Sequence, residues 1–137
     1  MVIFGVKGET VNSNDEIYKN IKDGLGGVIL FDKDPTDKTK IKNVRNKNQL
    51  KTLTASLQSI SKQKLLISID QEGGIVQRLK KEDGCVDTPK ASNVALMGES
   101  FARNTYKSLA KDLKESGINN DFAPVVDLAI NKQNKVI

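Results

Sequence analysis

The segment LLISIDQEGGIVQRLK, residues 65–80, holds the densest set of groups in the chain that could bind a polar ligand. Five apolar or small residues, 65–69, run into Asp70, and Gln71, Glu72, Gly73 and Gly74 follow. Arg78 stands alone four residues past the second glycine. A carboxylate at the end of a buried run is partly desolvated and accepts strong hydrogen bonds from hydroxyls. Paired glycines let the backbone take positive φ and leave room above that carboxylate. Arg78 could swing back over it and donate a forked pair of hydrogen bonds. The same residues also suit a tight turn in which Asp70 is a cap and Arg78 its ion-pair partner. Residue types alone leave both readings open.

Two more acids follow apolar runs. Asp32, with Lys33 beside it, ends GGVILFD (26–32), and Asp127 lies in INNDFAPVVDLAI (118–130). Three acids at one rim, Asp32, Asp70 and Asp127, suit a polyhydroxylated ligand. Asp32 could equally open a solvated loop, and Glu72 and Asp127 are candidates to orient neighbours rather than to hold the ligand. The glycines of GLGG precede a strand, whereas a dinucleotide-binding loop follows one. Cys85 is the single cysteine, so it forms no internal disulfide or metal pair, and without a His partner it reads as incidental. The chain has no His at all, which removes the commonest acid–base side chain.

The elements that must position these groups alternate. VIFGVKG (2–8) and the continuously apolar GGVILFD read as strands, the second buried on both faces. Between them, Ser13 with Glu16 predicts a capping box that opens a helix over 14–24. Leu50, Leu53, Leu57 and Ile60 predict an amphipathic helix over 48–61, and KLLISID (64–70) is the third strand. Ala102, Tyr106, Leu109, Ala110 and Leu113 form a helical stripe within 94–116, with Gly98 as a break and Gly117 as the stop. The stretch 118–130, interrupted by Pro124, is the fourth strand, and the tail 131–137 shows no clear pattern.

This order implies an α/β fold with a parallel sheet and right-handed crossovers. About four parallel strands with three or four helices make either a small open sheet or one half of a TIM-type (β/α)8 barrel, which takes about 250 residues when whole. The chain stops just after its fourth strand, which favours the N-terminal half of a barrel. In such folds ligands bind at the carboxyl ends of the strands, where Asp32, Asp70 and Asp127 fall.

Composition sets wider bounds. The 137 residues fit one domain, and a hydrophobic fraction of 37% suffices for a core. The net charge of +5 comes from lysines spread along the chain among acids, so it predicts a solvated surface and no nucleic-acid partner. No run approaches the ~20 apolar residues of a membrane span. The N-terminus lacks a basic lead-in and a cleavage site, so a cytoplasmic setting is expected.

At GGVILF, IDQEGGIVQRL and NNDFAPVVDL the sequence resembles glycoside hydrolase family 3, especially its bacterial β-N-acetylhexosaminidases. ARNTYKSLAKDLKESGI (102–118) is similar to the family segment before the fourth strand. The resemblance covers nearly all of residues 1–137 and implies part of the family's N-terminal (β/α)8 domain, with the barrel incomplete. It implies that Asp70 and Arg78 contact the terminal sugar of the substrate, and that no cofactor is needed. Ile75 departs from the family, where many members carry another Arg. The implied reaction is removal of terminal β-N-acetylglucosamine, often from peptidoglycan fragments, by a retaining mechanism. The resemblance places the nucleophilic Asp, a His–Asp acid–base pair and a sugar-binding Lys-His pair further along the family's chain, so no catalytic residue is expected within these 137 residues. A β-glucosidase of the same family, or a non-catalytic sugar-binding or self-assembling half-barrel, are the alternatives. A half-barrel with two unpaired edges should self-associate or take a complementary half.

Overall fold

A computed structural model of the chain describes residues 2–128, 130–131 and 133–134. Four strands and four helices follow one another: β1 (Ile3–Gly5), α1 (Glu16–Lys22), β2 (Gly27–Leu30), α2 (Lys47–Ile60), β3 (Leu66–Ile69), a short 3-10 turn (Lys81–Asp83), α3 (Ala91–Leu96), α4 (Glu99–Glu115) and β4 (Asn120–Asp121). Every strand pair is parallel, and the sheet order is β1-β2-β3-β4. The order never reverses, so crossovers of one hand place all the connecting helices on one face. That is an arc of a (β/α)8 barrel rather than a doubly wound sheet, which needs a reversal to cover both faces.

Alternation along the strands separates two faces. Val28, Leu30, Ile67 and Ile69 are fully buried in one core with Ile17 and Ile21 of α1, Leu50, Leu53 and Leu57 of α2, and Leu109 and Leu113 of α4. The alternate residues Ile3, Ile29 and Leu66 point to the other face and are only half-buried. The expectation that β2 is buried on both faces therefore holds for its helix side, while Ile29 remains partly open on the inner side. Each fully buried Leu or Ile contributes about 1.5–3 kcal/mol, so the helix-side core carries the stability of the arc.

Several local expectations shift. No capping box forms at Ser13. The helix starts at Glu16 behind Asp15, whose carboxylate accepts from the Asn12 N–H at 2.8 Å and closes the preceding turn. Glu16 is thus the first helical residue and cannot reach back to Ser13. Gly98, at φ 86°, does divide the third helical stretch, into α3 and α4. Ala102, Tyr106, Leu109 and Leu113 turn at least partly inward, whereas Ala110, rotated about 100° from Leu109, is exposed. The fourth strand is only Asn120–Asp121 instead of 118–130. β3 pairs with it at Ser68 and Ile69, and Phe122 N–H still donates to Ile69 O at 2.9 Å. Beyond Ile69 the neighbouring chain leaves the sheet at Asp70, so the residues after Phe122 have no strand to pair with. Residues 129, 132 and 135–137 of that stretch and of the tail lie outside the described residues. No helix among the described residues is long and apolar enough to cross a membrane.

Candidate functional site

The loop after β3 is built on its two glycines. Gly73 has φ 92° and Gly74 φ 65°, both in the left-handed region. Gly74 N–H donates to Thr88 O at 2.8 Å, and Gly73 N–H to Val76 O at 3.2 Å. A side chain at Gly73 would stand 2.3 Å from Pro89 O, so the close approach of the segment around Thr88 and Pro89 requires glycine there.

With the turn set, Arg78 returns over the strand ends. Its Nη2 donates to Asp70 Oδ2 and its Nη1 to Asp32 Oδ1, each at 3.4 Å. The guanidinium thus bridges the acids that end β2 and β3. Its carbon lies 5.5 Å from the centre of the Phe31 ring, and Lys42 Nζ lies 4.6 Å from the same ring. Arg78 Nε is buried with no hydrogen-bond partner among the described residues, at a cost of about 1–3 kcal/mol, which marks a head group placed for more than stability. Asp70 and Arg78 keep about a quarter of their side-chain surface in solvent. Asp70 uses one carboxylate oxygen on Arg78, and no hydrogen bond from the described residues reaches the other. Hydroxyls of a ligand can take that place.

Asp32 does not open a solvated loop. It is buried, and besides Arg78 it accepts from Lys80 Nζ at 2.9 Å. That hydrogen bond raises the Lys80 ammonium above its ordinary value. Lys80 thereby joins the rim, a place the strand-end rule does not assign to it. Its signal is the alternation in Arg78-Leu79-Lys80: Leu79 is buried, and the two cations flank it on the opposite side. Lys33, by contrast, is exposed.

The third rim acid is Asp121, not Asp127, because β4 ends at Asp121, nine residues before the end of the stretch its sequence suggests. Asp121 Oδ1 accepts from Gln71 N–H at 2.9 Å. Asp127 is exposed and, with Glu72, lines a separate cleft of about 200 Å³ that also includes Lys90, Ser92 and Val126. The structure brings Asp32, Asp70 and Arg78 together; Glu72 and Asp127 face each other's cleft instead. Cys85 is buried, and burial pushes its thiol up to about 11, so it stays protonated and unreactive at neutral pH. Among the described residues no group of three or more His, Cys, Asp and Glu side chains is arranged to hold a metal ion.

Burial, reinforced by the neighbouring charges of Asp70 and Glu72, pushes the Asp121 carboxyl up to about 6 from its ordinary 3.8. The folded chain therefore holds a proton that the unfolded chain releases between those two values. Stability contributed by this group is full below 3.8 and is lost as pH rises through about 6. Asp121→Asn keeps an oxygen for Gln71 N–H and removes the charge. Allowing for the residue's partial exposure, it is expected to unfold about 1–2 kcal/mol later than the parent at pH 7.5. The two chains should converge below pH 4 in urea titrations across that range.

The family model described as "Glycosyl hydrolase family 3 N terminal domain" matches residues 3–137. Beta-hexosaminidase A of Pseudoalteromonas piscicida is 37% identical over 121 residues, 82% of this chain and 19% of that protein. A beta-hexosaminidase of Neisseria meningitidis is 32% identical over 85% of this chain and 31% of its own length. Among solved structures, a family 3 beta-N-acetylglucosaminidase from Paenibacillus superposes with TM-score 0.76 at 31% identity, over 92% of this chain and 23% of that one. NagZ from Neisseria gonorrhoeae, in complex with N-trifluoroacetyl-D-glucosamine, superposes with TM-score 0.73 at 32% identity, over 93% of this chain and 36% of that one. The chain thus spans between about a fifth and a third of the curated relatives named.

Proposed function

The chain belongs to glycosyl hydrolase family 3, and from that premise we propose that it supplies the sugar-holding rim of an enzyme that removes terminal β-N-acetylglucosamine. The observation that carries this reading is Arg78 bridging Asp70 and Asp32 at the carboxyl ends of β2 and β3. Asp70 would accept from sugar hydroxyls with its open oxygen, and Arg78 would donate to a sugar oxygen as it exchanges its long contact with Asp70. The relatives' name and the N-trifluoroacetyl-D-glucosamine bound to NagZ support N-acetylglucosamine over glucose.

Retaining hydrolysis needs a nucleophilic carboxylate and a separate acid–base group on either side of the scissile bond. Asp70 and Asp32 are both engaged by Arg78, and the sequence contains no His. In the proposed division of labour these residues bind and orient the terminal sugar, and the reacting groups come from outside residues 1–137. The purified chain is then expected to release no chromophore from a chromogenic N-acetyl-β-glucosaminide. Release that Asp70→Ala abolishes would overturn the division.

The two sheet edges favour a second element of this reading. β1 and β4 end the sheet order, and large apolar residues stay exposed beside both. Val2 and Phe4 lie at one edge; Phe122, Val126, Leu128 and Ile130 follow the other. Unpaired parallel edges flanked by apolar side chains recruit another strand. In isolation the chain is expected to associate with a second copy. Light scattering that finds a stable monomer at micromolar concentration would count against it.

A further inference from the structure

Asp70 and Arg78 are eight residues apart, and nothing in their own chemistry makes the chain between them fold back. Gln71 does so. Its side chain is fully buried, as is that of one other amide among the described residues, Asn43. Its Oε1 accepts from both Arg78 N–H, at 2.7 Å, and Leu79 N–H, at 2.9 Å. Its Nε2 donates to Leu79 O at 2.9 Å, with Gln77 Oε1 a distant second acceptor at 3.5 Å. The amide thus pairs with the Arg78–Leu79 backbone as a neighbouring strand would. At its other end, the Gln71 backbone N–H is held by Asp121 of β4.

The consequence is directional. Pairing at Arg78 and Leu79 sends the Leu79 side chain into the core and leaves Arg78 on the opposite side, over Asp70 and Asp32. A buried amide whose donor and acceptor are both used is costly to replace. Here it replaces the sheet hydrogen bonds that the loop cannot make with β3, which has already ended at Ile69. Gln71 does not reach the rim itself, since it has no solvent exposure.

We infer that Gln71 is a positioning residue for the sugar site and acts through Arg78; this rests on the sugar-binding reading above. Gln71→Met keeps the volume and removes the clamp. It is expected to weaken N-acetylglucosamine binding at least tenfold in titrations of the full 137-residue chain. In a double-mutant cycle, adding Gln71→Met to Arg78→Ala should cost no further affinity, because both act through one contact. Additive losses, or full affinity in Gln71→Met alone, would overturn the inference.

A second readout does not need the sugar. The Arg78 Nε–H should be as ordered as the core backbone in ¹⁵N relaxation of the parent, and should become mobile in Gln71→Met while Asp70 and Asp32 remain. An Arg78 head group that stays ordered in the variant contradicts the inference even if the parent binds no sugar, an outcome that would instead sink the sugar-binding reading. If Gln71→Met does not fold, hydrogen exchange in the parent decides. The Arg78 and Leu79 amides should exchange as slowly as those of β3, and exchange as fast as at Ile75 would show that no clamp exists.

Discussion

Asp70→Ala is expected to weaken N-acetylglucosamine binding about a hundredfold or more while leaving the unfolding free energy within about 1 kcal/mol of the parent. The affinity loss follows from hydrogen bonds to a carboxylate, worth about 1.5–3 kcal/mol each, of which a rim acid can make two to a sugar. The small stability change follows from what remains. Arg78 keeps its contact with Asp32 at 3.4 Å, so removing Asp70 does not strand a buried charge. Among the described residues the Asp70 side chain makes no hydrogen bond to the backbone of its own turn; its hydrogen bond is with Arg78. Calorimetric titration together with urea unfolding checks both halves. A variant that unfolds, or one that binds as well as the parent, returns Asp70 to the role of a turn cap. Arg78→Lys tests the other side of the pair. A lysine can reach one of the two acids but cannot bridge them, so affinity is expected to fall here too, by about tenfold.

Gly73→Ala is expected to cost about 3 kcal/mol or more, and to disorder the whole rim. Two penalties add at this position. A residue with a side chain pays about 1–2 kcal/mol for a left-handed conformation. The new methyl would also stand 2.3 Å from Pro89 O and 2.9 Å from Thr88 O, both backbone atoms that cannot rotate aside. Either the loop or the segment through Pro89 must shift, at a typical overpacking cost of about 1–3 kcal/mol. Gly8→Ala supplies the control. Gly8 has φ 77° but nothing within 4 Å of the added methyl, so it isolates the conformational penalty. Equal losses in the two variants by chemical denaturation would show that the close approach at Gly73 does not exist.

The parts of this molecule that the sequence makes legible are those with a period or a chain-order rule behind them. The Leu50–Leu53–Leu57 stripe reads as a helix because its spacing is geometric, and α2 lies within a residue of its expected bounds. The parallel arc follows from alternating strands and helices, and Asp70 follows from the rule that sites gather at strand ends. What the sequence hides depends on partners distant along the chain. Asp121 replaces Asp127 at the rim because β4 can be no longer than the stretch of β3 beside it, and that limit lies some fifty residues away. Ser13 and Glu16 match a capping box in type, but Asp15 competes for the same turn and prevails. Gln71 carries no pattern at all: one glutamine in a polar turn looks solvent-facing until the backbone it satisfies is seen. Lys80 stands two residues from Arg78 across the buried Leu79, and that polar–apolar–polar alternation is legible in the sequence.

The most direct test is an NMR titration of the ¹⁵N-labelled chain with N-acetylglucosamine. Saturable shifts are predicted at Asp70, at the backbone of residues 71–79, at the Arg78 Nε–H and at Asp32, with the amides of α2 unmoved. Shifts that are absent from this rim, or that centre on α2 or on the amino ends of the strands, would contradict the assignment of Asp70 and Arg78 as the groups that hold the sugar.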